Sequence, residues 1–286
     1  MKKSFIFLSF LLILSSILVI PVYAPEDKID IAVCYDPREI ALLFQGIIDP
    51  IEYLCNVILS DPAFNAVPVT YEDVVDTTTG NGLIQENDGE VKRLYDVAYF
   101  YGGYMIVMFR PEGFDDVLRD FARAGGGIIG HCGAAAVFSE GFRLLSFIKL
   151  PGIGLLPFEA KTSLMFLFNL LIRTLRTGFI DLAPVTVSFP ESNELGFPEG
   201  LYTFAWDGGV AFPRCPGEDV TVCARVTEYP VSRLINLRMK YRPFFVAGNF
   251  EGNPEQGKIV LCPGSPEFSA LASQIITAEI NYVNPK

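Results

Sequence analysis

The chain has 286 residues, 50% of them hydrophobic and only 19% charged, which is enough apolar material for a large packed core and excludes a disordered chain. Its net charge is −11 with no basic stripe, which excludes nucleic acid as a partner and argues against adhesion to anionic lipid headgroups. One histidine and no Cys-x-x-Cys spacing exclude a zinc pattern, so neither metal nor cofactor is expected.

The first residues read as a targeting segment. Lys2 and Lys3 precede an apolar run from Phe5 to Val22, and Val22-Tyr23-Ala24 offers a small-residue cleavage site before Pro25. Residues 1–24 are expected to be a signal peptide. The alternative is an uncleaved anchor, because the run approaches the roughly 20 residues that span a bilayer. Either way residues 25–286, read as one α/β domain, lie outside the cytoplasm, secreted or held at a membrane by that segment. Losing Lys2 and Lys3 takes the net charge to −13.

Lys28 to Cys34 is predicted as a first parallel strand, and Asp36-Pro37 to Leu59 as a helix that Pro50 kinks or breaks. Ala66 to Tyr71 is a second strand. Residues 76–89, with Thr77-Thr78-Thr79-Gly80-Asn81-Gly82, read as an exposed loop. Tyr95 to Tyr101 is a buried strand that ends in Gly102-Gly103. Glu112 to Ala124 has helical periodicity, with Phe114, Val117, Leu118, Phe121 and Ala122 on one face.

The next stretch carries the chemistry. Gly127-Ile128-Ile129-Gly130-His131 runs into Cys132-Gly133-Ala134-Ala135-Ala136. A strand signal entering a cysteine among small residues is how a chain builds a tight strand-to-helix turn with a nucleophile at its tip. The alternative is a buried cysteine before a Gly-rich turn. The order strand, Gly-Gly loop, helix, strand, elbow brings both loops to the carboxyl ends of neighbouring parallel strands. Backbone N–H groups at Gly102, Gly103 and Gly133 are then candidates to face an oxyanion formed at a carbonyl attacked by Cys132.

Farther on, residues 163–178 hold a ten-residue apolar run, too short to span a membrane and predicted as a buried helix or a lid. Cys215 and Cys223 flank Pro216-Gly217-Glu218-Asp219, a turn signal that makes a short-range disulfide geometrically reasonable in an exported chain. Cys34 and Cys55 are a weaker candidate pair.

These pieces resemble the class I glutamine amidotransferase-like superfamily, most of all the family similar to the N-terminal domain of biotin-protein ligases. The resemblance rests on Tyr101-Gly102-Gly103, on Gly130-His131-Cys132-Gly133-Ala134, on Tyr202 to Phe212 as the family's hairpin, and on the strand signals Val220 to Val226, Pro243 to Ala247 and Gly257 to Leu261. It covers roughly residues 29–284. It implies a three-layer, flavodoxin-like α/β sandwich with a mostly parallel sheet.

The resemblance also shows what is missing. After the last strand the family carries Pro-His-Pro-Glu, whose histidine is the general base and whose glutamate is the acid of the triad. Here the segment is Pro263-Gly264-Ser265-Pro266-Glu267, so Ser265 stands at the base position while Glu267 matches. Serine is no base near neutral pH. His131 precedes Cys132, and alternation along a strand points it away from the thiol, packed under the sheet and bonded to backbone. His131, Asp36 and Glu39 are the candidate helpers. The leading expectation is a non-catalytic binding or scaffold module whose ligand, a small molecule or a protein, the sequence does not name. The alternative is a Cys132-dependent amidase, peptidase or acyl transferase with an unorthodox base. Glutamine amidotransfer itself is not expected.

Overall fold

The computed structural model describes residues 28–38, 49–103, 105–144, 148–163, 183–206, 209–229 and 238–284. The predicted leader, Glu39 and the apolar run after Ser163 lie outside the described residues. In chain order the strands are β1 (Ile29–Tyr35), β2 (Phe64–Thr70), β3 (Ile84–Asn87), β4 (Glu90–Arg93), β5 (Val97–Phe100), β6 (Gly127–His131), β7 (Ser139–Leu144), β8 (Ile148–Pro151), β9 (Leu156–Thr162), β10 (Ala183–Phe189), β11 (Gly200–Trp206), β12 (Val210–Ala211), β13 (Thr221–Glu228), β14 (Pro243–Asn249) and β15 (Lys258–Cys262). The helices are α1 (Pro50–Leu59), α2 (Tyr71–Val74), α3 (Met105–Met108), α4 (Phe114–Arg123), α5 (Cys132–Phe138) and α6 (Ala272–Val283).

The architecture is mixed α/β around a large central sheet. Nine described strands pair in the order β11-β10-β13-β14-β15-β6-β5-β1-β2. The run β2-β1-β5-β6-β15 is parallel throughout, and the remaining four strands extend it antiparallel. The parallel half matters for function, because loops at its carboxyl edge gather at one crevice. Its inner strands are buried on both faces, which is why β5 and β6 read as continuous apolar runs rather than alternating ones.

Two apolar clusters flank this sheet. One joins α2 and α4 through Tyr71, Val74, Phe114, Leu118 and Phe121. The other joins α1 and α6 through Ile51, Leu54, Ile275, Ile276 and Ile280. The buried face of α4 is the one its periodicity predicts, and each such side chain contributes about 1.5–3 kcal/mol by leaving water.

The fold refines some expectations and corrects others. A helix starts at Pro50, where the sequence predicts a kink or break, because proline suits the first turn of a helix and Asp49 caps it, accepting from Ile51 N at 2.8 Å; residues 39–48 lie outside the described residues. Residues 84–93 are a hairpin, where a loop was expected to Gly89. Asp88 (φ 52°) and Gly89 (φ 81°) form its two-residue turn, the left-handed pair that matches strand twist. The elbow helix α5 has only seven residues and passes directly into β7. Finally, Tyr202 to Phe212 is no hairpin: β11 pairs with β10 in the large sheet, while β12 pairs with β9 in a second sheet ordered β12-β9-β7-β8.

Candidate functional site

Cys132 sits where β6 becomes α5, with φ at +48°, a left-handed value that costs a non-glycine residue strain. Its amide donates to Gly264 O at 3.0 Å, so the elbow is fastened to the loop after β15. That loop is fixed in turn, because Ser265 N donates to Ala205 O at 2.9 Å. Two parallel neighbours, β6 and β15, thus deliver Cys132 and Ser265 to the same edge of the sheet.

The Gly102 loop closes the third side. A Cβ at Gly102 would stand 2.4 Å from Cys132 Cβ, 3.4 Å from its Sγ and 3.3 Å from Ser265 Oγ. The thiol and the hydroxyl therefore both lie against Gly102, where no side chain fits. A Cβ at Gly133 would stand 1.9 Å from Gly103 O, so the glycine after the nucleophile lets the Gly-Gly loop lie directly on the elbow. The structure brings Gly102, Gly103, Cys132, Gly133 and Ser265 together. Cys132 is 3% exposed and Ser265 5%.

The histidine and the acid lie behind this wall. His131 is fully buried with Tyr99, Glu267 and Glu279. Nδ1 is 2.9 Å from Glu267 Oε2 and 2.9 Å from the Tyr99 hydroxyl, and Nε2 is 3.0 Å from Glu279 Oε1. The predicted backbone partner of His131 is replaced by two carboxylates and a phenol. Burial alone would lower the imidazole's pKa, but Glu279 and Glu267 outweigh it and raise the value from 6.5 to about 10. Burial pushes Glu279 up as well, against the pull of His131. Glu267 thus has its Oε2 taken by a histidine from the neighbouring strand. The sequence reading missed two members of the cluster, Tyr99 inside a buried strand and Glu279. The one signal of Glu279 is an acid on the apolar face of the last helix, among Ile275, Ile276 and Ile280.

Asp36 is buried, and its carboxylate is engaged by Arg38, which donates from its amide at 2.8 Å and from Nε at 2.8 Å. Arg38 also stacks 5.2 Å over Phe109. The expected Cys215–Cys223 disulfide is absent: both are free thiols, because Cys223 is buried in β13 whereas Cys215 lies in the exposed loop before it. Cys34 and Cys55 are free as well. Among the described residues no group of three or more His, Cys, Asp or Glu side chains is placed to hold a metal ion. In the buried cluster the two carboxylates take opposite ring nitrogens and do not converge on one point.

No protein-family model matches the chain, and no curated protein does. Solved structures do. A glutamine amidotransferase is 14% identical over 88% of this chain and 98% of its own, with a TM-score of 0.47. A ThuA-like protein from Bacteroides uniformis is 13% identical over 92% of this chain and 97% of its own, also at 0.47. A β-galactosidase from Rahnella sp. R3 is 14% identical over 89% of this chain at a TM-score of 0.51, and the match covers 31% of that enzyme. The chain thus spans about a third of the β-galactosidase it resembles. At such identities the likeness is one of fold: a mixed α/β domain with a large central sheet.

Proposed function

We propose that the chain is an exported amidotransferase-like module, a three-layer flavodoxin-like sandwich akin to the biotin-protein ligase N-terminal branch, that holds a small molecule or a protein partner without turning it over. One observation carries this reading. The residue facing Cys132 across Gly102 is Ser265, and the chain's single imidazole is bound behind the sheet between two carboxylates. Nucleophilic attack by a thiol on an amide needs a base for the thiol proton and an acid for the leaving amine, and a serine supplies neither near neutral pH. The walls around Cys132 are small residues, Gly102, Gly103 and Gly133.

A second reading, a Cys132-dependent hydrolase, is favoured by the positive φ at Cys132, since strain of this kind gathers at working sites. Ammonia release from glutamine and simple amides, by the unmodified chain and by Cys132→Ala, separates the two. The binding module stays at the level of the buffer blank in both. Turnover that Cys132→Ala abolishes establishes the hydrolase instead.

A further inference from the structure

The cluster behind the elbow joins three separate parts of the fold through one ring. His131 ends β6, Glu267 lies in a 3-10 turn, Pro266–Phe268, next to Ser265, and Glu279 lies on α6. The outer oxygens, Glu267 Oε1 and Glu279 Oε2, are buried without a hydrogen-bond partner.

The donor count limits what the ring can do. An ionised carboxylate only accepts. Imidazolium donates from both nitrogens, while neutral imidazole donates from one and accepts at the other. The charged ring therefore bridges Glu267 and Glu279 together, and the neutral ring can hold only one of them. Tyr99 decides which. Its hydroxyl is a donor already 2.9 Å from Nδ1. A bare Nδ1 accepts from Tyr99, Nε2–H stays with Glu279, and Glu267 is left without its donor.

We propose that these residues form a proton-operated latch: imidazolium ties Glu267 of the Pro266–Phe268 turn to the strand behind Cys132, and loss of one proton hands Nδ1 to Tyr99 and releases the Glu267 carboxylate, which loosens one of the turn's ties. The turn is the part that yields. It is three residues long, whereas Glu279 belongs to a twelve-residue helix packed through Ile275, Ile276, Ile280 and Val283. Because Ser265 begins the turn and faces Cys132, the latch governs one wall of the crevice.

The ionisable groups facing His131 are Tyr99 from β5, Glu267 from the turn, Glu279 from α6 and Cys262, its register partner on β15. Burial raises Tyr99 and Cys262 well above their ordinary values, so both stay neutral and Tyr99 keeps the proton it must donate. With the ring's pKa raised to about 10, the latch is closed at neutral pH and opens in alkali.

A chain with one histidine gives one imidazole signal, so nitrogen-15 NMR titration of the full-length protein reads the ring directly. Both nitrogens should be protonated at neutral pH, and Nδ1 should lose its proton first. Carbon-detected backbone shifts of residues 265–268 should move with the same midpoint, and those of 272–283 should not. Tyr99→Phe removes the alternative donor and should shift the midpoint upward. Glu267→Gln should shift it downward and uncouple the turn from the titration. A neutral ring at neutral pH, proton loss from Nε2, or a turn indifferent to the titration would each overturn the latch.

Discussion

Gly102 lies where the nucleophile and its opposite wall converge, and the space there is already filled. An added Cβ would stand 2.4 Å from Cys132 Cβ, well inside contact distance. Gly102→Ala should therefore cost about 1–3 kcal/mol, the usual penalty for overpacking, read as a lower urea midpoint. An unchanged midpoint would mean that the loop can move off the elbow. Cys132 is legible in the sequence because small residues surround it at a strand's end, whereas Ser265 and Glu267 are singled out only by the resemblance. The partners of His131 are not legible as such. Glu267 and Glu279 stand 136 and 148 residues away, beyond any local pattern, and the turn and α6 reach the ring only once the parallel sheet has formed.

At the scale of the elements, capping explains where α1 starts. Asp49 Oδ1 accepts from Ile51 N at 2.8 Å and from Glu52 N at 3.4 Å, so it satisfies donors that the first turn leaves free. Asp49→Ala should lower stability by about 1 kcal/mol, measurable by urea unfolding, while Asp49→Asn should recover most of it. If both variants match the unmodified chain, the cap contributes nothing. Helix α4 is legible because its apolar face repeats at helical spacing. The β3–β4 hairpin is not legible by that route, since its strands are mostly exposed and lack a buried alternating face. Its signal is the Asp88-Gly89 turn alone. Strand β9 alternates buried and less buried positions from Leu156 to Thr162, and its pairing with β7 and β12 makes a second sheet that the sequence reading did not predict.

For the whole molecule, the buried cluster predicts how stability depends on pH. The folded pKa of His131, about 10, lies above its ordinary value of 6.5. Its contribution is therefore complete below about pH 6.5 and is lost as the pH rises through about 10. Burial raises Glu279 too, so it also makes the folded chain hold protons more tightly than the unfolded one. The urea midpoint should fall steadily from neutral pH toward pH 10, and less steeply in Glu279→Gln. A midpoint that rises over this range would show that the ring is neutral in the folded protein.

The central proposal is that Ser265 stands where a general base for Cys132 would have to stand, with Glu267 the acid behind it. Glu267 supports this, because its Oε1 is buried and unpartnered beside the turn that carries Ser265. Ammonia release from glutamine by Ser265→His, set beside the unmodified chain, tests the claim most directly. The account predicts a blank rate for the unmodified chain and a gain of at least about a hundredfold in Ser265→His, the lower range for a positioned general base, abolished again by Cys132→Ala. A folded Ser265→His that stays at the blank, or an unmodified chain that already releases ammonia through Cys132, would contradict it.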